Sequence, residues 1–186
     1  MMELITPRLL IREFTELDFP ALREIDSQPE MHTYERELPD EQATRLSLQE
    51  FIREQQELPR TCCRLAITIP PEDTVRGIIK LSRQWATIRE WEVGWAVHPD
   101  DWGKGIATEA AWNLIDWGFR ELQIHRIVAF CHVENNASIR VMEKLGMHRD
   151  GRLRETRWLD GKWNDELLYA ILDREWEAEQ KPRQAG

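Results

Sequence analysis

A change of hydrophobic period near the middle of the chain most constrains the fold. The segment WEVGWAV (91–97) alternates bulky with small or polar residues, as a half-buried strand does. A Pro-Asp-Asp sequence and Gly103-Lys104-Gly105 follow it, and apolar residues then recur at helical spacing from Ile106 onward. A strand, a glycine turn and a helix in succession leave free backbone N–H groups at the positive end of the helix dipole. The sequence therefore predicts an anion site at this turn.

The local residues leave the identity of the anion open. The G-x-x-x-x-G-K-[ST] spacing of nucleotide phosphate loops is absent. The dinucleotide fingerprint fails because Thr108 occupies the position of its third glycine or alanine. On these residues alone, a tight turn in which Asp100 or Asp101 caps the helix is an equally good interpretation.

The same patterns predict the order of the other elements. The strands and helices give an α/β (α+β) architecture, a sheet with helices packed on its faces, in which residues 63–97 form an antiparallel meander. One domain is predicted over 1–180, with a frayed tail at 181–186. Strands are predicted at 8–14, 63–69, 75–82, 91–97, 125–133 and 163–172, and helices at 18–27, 40–56, from Gly105 onward and at 136–146.

Composition narrows the classes of partner. The formal net charge of -9 disfavours nucleic acid and suits cationic partners such as amines or basic proteins. No apolar run is long enough for a signal peptide or a membrane span, so a cytoplasmic protein is expected. The three cysteines lack metal-type spacing and are expected to be reduced, buried thiols, and no metal site is predicted.

Several motifs together resemble one enzyme family. WEVGWAVHPDDWGKGIATEA (91–110), VENNASIRVMEKLGM (133–147), GRLRE (151–155) and DGKWNDELLYAIL (160–172) are similar to the GNAT superfamily of acetyl-CoA-dependent N-acetyltransferases. TPRLLIREF (6–14) matches the first strand of its branch of ribosomal-protein N-terminal (alanine/serine) acetyltransferases. The resemblance covers nearly the whole chain. It implies a single-domain, mostly antiparallel mixed sheet of about six to seven strands, helices on both faces, and a splayed parallel strand pair that holds the cofactor.

The resemblance also implies which residues bind acetyl-CoA. The turn amides would cradle the pyrophosphate where side chains would obstruct it. The turn departs from the superfamily pattern Gln/Arg-x-x-Gly-x-Gly/Ala in having Asp100 first. Lys104 is either a phosphate ligand or an ordinary exposed lysine. The implied cofactor-binding residues are Ala96, Val97, Trp102, Gly103, Lys104, Gly105, Ile106, Ala107, Thr108, Asn135 and Ser138.

Two catalytic residues are implied in the same way. Glu92 lies where this branch carries a glutamate proposed as the general base, usually through water; the alternative is a solvent-facing strand glutamate. Ser138 would lie near the thioester sulfur as a proton donor; the alternative is a first-turn residue of a helix that Asn135 or Asn136 caps. A strand amide at Ala96 or Val97 would polarise the thioester carbonyl, and the family tends to have a bulge after Gly94.

The expected activity is acetyl transfer from acetyl-CoA to a primary amine, without a metal. An α-amine with a pKa of about 7.7–8.0 needs less help from a base than a lysine amine near 10.4, so a protein or peptide N-terminus is favoured, including that of a basic protein. Two alternatives stay open: acetylation of a polyamine, aminoglycoside or amino-acid derivative, and a non-catalytic sensor that binds CoA. The sequence leaves the choice between monomer and homodimer open.

Overall fold

An eight-stranded mixed sheet organises the protein, in a computed structural model that describes residues 2–34, 38–159 and 161–180. Its spatial order is β1-β2-β3-β4-β5-β6-β8-β7, and every neighbouring pair is antiparallel except β5 and β6. The strands are β1 Glu3–Ile5, β2 Leu10–Glu13, β3 Cys62–Thr68, β4 Val75–Trp85, β5 Glu90–Val97, β6 Arg126–His132, β7 His148–Leu159 and β8 Lys162–Leu172. The predicted fold class and the meander of β3, β4 and β5 are confirmed.

The sheet has more strands than the six to seven that were expected. Strand β1 has only three residues, too few to show a period. Strand β7 forms the edge of the sheet and is largely exposed, so no apolar alternation marks it. Its register against β8 also shifts twice, which interrupts any simple period of two.

Five α-helices in the described part of the chain cover the sheet. They are α1 Phe19–Asp26, α2 Glu41–Glu54, α3 Ile106–Glu121, α4 Asn136–Lys144 and α5 Asp173–Gln180. Helices α1 and α2 pack on one face, around a cluster that includes Leu22 and Leu48. Helices α3 and α4 pack on the other face, around the larger cluster that includes Leu114 and Met142. Helices on both faces were predicted, and this is confirmed.

Helix α5 was not predicted because it begins directly after β8 and is almost entirely polar. Its one large apolar residue, Trp176, is buried and lies 5.4 Å from the ring of Trp112 in α3, centroid to centroid. The indole N–H of Trp176 also donates to Asp116. These contacts, rather than a helical apolar stripe, hold α5 in place. The tail predicted at 181–186 lies outside the described residues.

Candidate active site

The parallel strands β5 and β6 diverge after a short paired stretch. Only residues 90–92 of β5 are in register with residues 126–128 of β6. Beyond Glu92, β5 continues along β4 to Val97, and β6 continues along β8 to His132. A gap therefore opens between the second halves of the two strands. This is the splayed pair that the family resemblance implied.

The backbone of β5 stays regular along this gap. Its pairing with β4 runs without a shift from Trp91 to Val97, so the expected bulge after Gly94 is wrong. The amide of His98 donates to the carbonyl of Arg76, and residues in an antiparallel ladder alternate in the direction of their N–H groups. The amide of Ala96 is thereby directed toward β4, and the amide of Val97 toward the gap.

The glycine turn connects β5 to α3 in the conformation that its residues predict. Gly103 and Gly105 have φ values of +75° and +80°, which favour glycine. Gly105 is the N-cap of α3, with no side-chain cap. The interpretation in which Asp100 or Asp101 caps the helix is therefore wrong. Asp101 instead accepts from Arg76 at 2.7 Å and from Lys104 at 2.9 Å.

These ion pairs stabilise Asp101 in its ionised form. Burial alone would raise its pKa, but hydrogen bonds from Lys104 and Arg76 outweigh that effect and hold the pKa below its usual value. The side chain of Lys104 is 57% exposed, and its ammonium group is already paired with Asp101. The indole N–H of Trp102 donates to the carbonyl of Val97 at 2.6 Å, which ties the turn to the end of β5.

The turn fits an anion. Among the described residues, no acceptor pairs with the backbone N–H groups from Gly103 to Thr108, and the first such bond in α3 runs from Glu109 to Gly105. A Cβ atom built on Gly103 would meet no heavy atom within 4 Å. Free amides, open space and the positive end of a helix dipole are the features that bind a phosphate or pyrophosphate.

The second helix start lies at the same edge of the sheet. Strand β6 ends at His132 and leads into α4, whose N-cap is Asn135 rather than Asn136. The Asn135 side-chain oxygen accepts from the Ser138 amide at 3.0 Å. The side-chain NH₂ of Asn135 and the hydroxyl of Ser138 have no partner among the described residues and remain available. Since β5 and β6 are parallel, both helix starts follow the carboxyl ends of neighbouring strands, where ligands bind in α/β sheets.

Glu92 occupies the closed end of the gap. It faces the side of the sheet that carries α1 and α2, opposite Ser82 of β4. Its carboxylate accepts from Gln84 at 2.9 Å and lies 3.5 Å from the Lys80 ammonium nitrogen. With 27% of its side chain exposed, Glu92 is accessible to a substrate and is held by two donors. It is not a freely solvated strand glutamate.

Comparison with known proteins identifies the family. Residues 8–148 match the acetyltransferase (GNAT) domain. The chain belongs to the GNAT acetyltransferase family. A Bacillus subtilis protein named "Uncharacterized N-acetyltransferase YnaD" is 34% identical over 175 residues, which cover 94% of this chain and 99% of that protein. The crystal structure of a GNAT-family acetyltransferase from Bacillus anthracis superposes with a TM-score of 0.83 at 32% identity, covering 94% and 100% of the two chains.

Two other similar proteins are named for their substrates. The ribosomal-protein-S5-alanine acetyltransferase of Vibrio fischeri shares the fold, with a TM-score of 0.83 at 18% identity over 95% of this chain and 99% of its own. The spermidine N(1)-acetyltransferase of Escherichia coli K12 is 28% identical over 105 residues, 56% of each chain. The protein is therefore an acetyltransferase, and the amine it acetylates is a separate question.

A polar cluster at the end of β6, formed by Tyr34, His132 and Asn164, was not predicted from the sequence. Tyr34, which follows α1, stacks on His132 with ring centroids 5.0 Å apart, and its hydroxyl donates to the carbonyl of Glu134. The buried His132 accepts from the Glu134 amide through Nδ1, so Nε2 carries the proton and donates to the Asn164 oxygen at 3.2 Å. The segment after α1 is thereby fixed over the end of β6. No local sequence pattern indicates a contact between residues so far apart in the chain.

Two possible features are missing from the described part of the chain. No group of three or more His, Cys, Asp or Glu side chains within residues 2–34, 38–159 and 161–180 is placed to hold a metal ion. None of the helices in those ranges is both long and apolar enough to cross a membrane.

Proposed function

We propose that this GNAT protein transfers the acetyl group of acetyl-CoA to the α-amine of a protein or peptide N-terminus, by direct attack of the amine on the thioester. The observation that carries the proposal is the gap between β5 and β6. A turn of free amides follows its open end, and Glu92 occupies its closed end. The pyrophosphate of acetyl-CoA would bind the turn, and the pantetheine arm would extend along the gap toward Glu92.

The strand β5 supports this orientation of the cofactor. By the alternation of the ladder, the amides of Trp95 and Val97 are directed toward the gap, whereas the amide of Val93 belongs to the paired stretch that ends at Glu92. Trp95 and Val97 are about 7 Å apart along an extended strand, so the two amides serve different parts of a long ligand. Val97, beside the turn, would pair with the pantetheine arm. Trp95, whose amide is the nearest to Glu92 beyond the registered stretch, would polarise the thioester carbonyl in place of Ala96, whose amide is directed toward β4.

The proposed chemistry needs one proton acceptor and one proton donor. The amine nitrogen attacks the carbonyl carbon, the carbon–sulfur bond breaks, and the electron pair leaves with sulfur. The Glu92 carboxylate takes a proton from the amine, directly or through water. The hydroxyl of Ser138, which no described residue engages, relays a proton from water to the thiolate, so that Ser138 ends as a hydroxyl and CoA as a thiol.

The face that carries Glu92 supports an extended acceptor. Helices α1 and α2 pack over β3 and β4, and the neighbouring β6 and β8 carry the paired apolar residues Phe130 and Leu168, both partly exposed. A partly exposed apolar surface beside the base gives a peptide chain room to lie. An α-amine is on the order of a tenth neutral at pH 7, so a carboxylate base suffices for it, whereas less than about a thousandth of a lysine amine is neutral.

A small polyamine is the second candidate. The Escherichia coli relative is named a spermidine N(1)-acetyltransferase, and the net charge of -9 on this chain suits a polycation. A non-catalytic protein that binds CoA is the third candidate, and an assay must distinguish it from the two acetyltransferases.

The proposal is tested by measuring CoA release from acetyl-CoA with a panel of amines. The panel contains peptides with free N-termini beginning in Ala, Ser or Met, the same peptides with blocked N-termini and a free lysine, spermidine, and an aminoglycoside. We expect kcat/KM to be highest for a free N-terminus and to vanish when that N-terminus is blocked. Higher kcat/KM for spermidine would establish the second candidate, and binding of acetyl-CoA without release with any amine would establish the third.

A further inference from the structure

The N-terminal segment contacts the outer side of the glycine turn. Arg8, between β1 and β2, donates from Nη1 to the carbonyl oxygen of Lys104 at 2.9 Å. Its Nε and Nη2 atoms lie 2.7 and 2.5 Å from one carboxylate oxygen of Glu109, in the first turn of α3. The other oxygen of Glu109 accepts from the hydroxyl of Thr6 at 2.6 Å and from the Arg8 amide. One arginine therefore bridges the turn and the helix that follows it.

The bond to Lys104 fixes the direction of an amide in the turn. A peptide unit is planar and trans, so its carbonyl and its N–H group point in opposite directions. When Arg8 holds the Lys104 carbonyl on the outer side, the N–H group of Gly105 must point to the inner side. That amide is one of those that no described residue engages.

The bonds to Glu109 remove an electrostatic conflict. Glu109 lies in the first turn of α3, where a pyrophosphate would bind, and an unpaired carboxylate there would repel it. Burial alone would raise the pKa of Glu109, but hydrogen bonds from Thr6 and Arg8 hold it below its usual value. Glu109 is thus ionised, and the arginine neutralises its charge locally.

We infer that Arg8, with Thr6, is a positioning residue for acetyl-CoA: it orients the Gly105 amide toward the pyrophosphate and screens that anion from Glu109. This inference rests on the proposed use of the turn as the pyrophosphate site. None of the hydrogen bonds or ion pairs of Arg8 with the described residues reaches β5 or Glu92, so its effect falls on cofactor affinity and not on the chemical step.

The experiment measures acetyl-CoA binding by calorimetry, together with KM and kcat, for the wild type, Arg8→Gln, Arg8→Gln/Glu109→Gln and the control Arg120→Gln. Arg120 pairs with Asp116 on the same helix, and the Arg120 side chain is 60% exposed compared with 51% for Arg8. Arg8→Gln should raise Kd and KM for acetyl-CoA about tenfold, while kcat at saturation changes less than about twofold. The double variant should recover part of that affinity, because the repelling charge is gone, and Arg120→Gln should leave Kd unchanged.

Three outcomes overturn the inference: an unchanged Kd for Arg8→Gln, an equal rise for Arg120→Gln, or a fall in kcat as large as the rise in KM. A double variant no tighter than Arg8→Gln overturns the screening role of the arginine. Failure of the wild type itself to bind acetyl-CoA would instead contradict the proposed function, so the two failures are distinguishable.

Discussion

Glu92 and Val128 form the last registered pair of the parallel strands β5 and β6. The strands separate immediately after this pair, so the carboxylate of Glu92 lies at the closed end of the gap. It is also held by Gln84 and adjacent to Lys80, which fixes where it can meet an incoming amine. The separation of the strands thus determines both the course proposed for the cofactor and the position of the proposed base.

Replacing Glu92 tests the base directly. Glu92→Gln should lower kcat/KM by about 10²-fold at pH 7, and the loss should shrink at higher pH as the free amine becomes neutral unaided. The measurement is the pH profile of kcat/KM on an amine that the wild type acetylates. Glu57→Gln, an exposed glutamate after α2, is the control. An unchanged rate and profile for Glu92→Gln would show that Glu92 is not the base.

Asn135 and Ser138 should separate stability from catalysis. Asn135→Ala removes the side-chain cap of α4 and should cost about 1 kcal/mol in the free energy of unfolding. Ser138→Ala keeps that bond, because the cap accepts from the backbone amide, and should lower kcat while leaving stability within about 0.5 kcal/mol. Urea unfolding and steady-state kinetics measure the two effects. A normal kcat for Ser138→Ala would remove the hydroxyl from the proposed mechanism.

The cysteines should be unreactive in the folded protein. All three are free and buried, as the sequence predicted. Burial raises the pKa of Cys62 to about 12, and the pKa values of Cys63 and Cys131 to about 11. Thiolates are therefore scarce at pH 8, and DTNB should label the native protein very slowly but all three thiols in urea. Rapid labelling of any native thiol would contradict this burial.

Asp18 should contribute to acid sensitivity. The buried pair of Asp18 with Arg12 joins β2 to the start of α1 at 2.9 Å. Burial alone would raise the pKa of Asp18, but the Arg12 and Thr15 hydrogen bonds lower it from 3.8. The stabilisation is therefore present above the unfolded-state value of 3.8 and is lost as pH falls through the lower folded-state value.

Asp18→Asn should accordingly cost about 3 kcal/mol in the free energy of unfolding at pH 7, because it leaves the largely buried Arg12 guanidinium with the exposed Asp73 as its one carboxylate partner among the described residues. The difference from the wild type should shrink as the pH falls below 3.8. Urea unfolding at several pH values measures it. Asp73→Asn, which breaks the exposed pair of the same arginine, should cost less than about 1 kcal/mol. Equal costs for the two variants, or a difference that does not depend on pH, would argue against this account.

Sequence reasoning succeeded where one local rule determined the structure. The change of period at Gly103 predicted the strand, the turn and α3, because the turn requires positive φ and the helix has a regular apolar face. The splayed pair and the choice of Glu92 came from the resemblance to GNAT enzymes. The bulge after Gly94 came from the same resemblance and was wrong, since a family tendency does not determine the register of one strand.

The features that sequence reasoning missed depend on long-range contacts. Arg8 and Glu109 are 101 positions apart, and no sequence pattern near either residue indicates the ion pair. The sequence did not identify the N-cap of α3 for a similar reason. Asp101 is of a residue type that often caps helices, but its carboxylate pairs with Arg76 of β4 instead. Helix α5 likewise depends on Trp176 meeting Trp112, a contact that only the folded chain provides.

The most direct test of the central claim is calorimetric binding of acetyl-CoA to the wild type, Gly105→Val and Gly161→Val. Both glycines have positive φ, +80° and +73°, so valine strains each backbone similarly, by about 1–2 kcal/mol. Of these two glycines, only Gly105 lies in the turn between β5 and α3. We predict tight binding by the wild type and by Gly161→Val, and no measurable binding by a folded Gly105→Val. Unchanged affinity of Gly105→Val for acetyl-CoA would contradict the account.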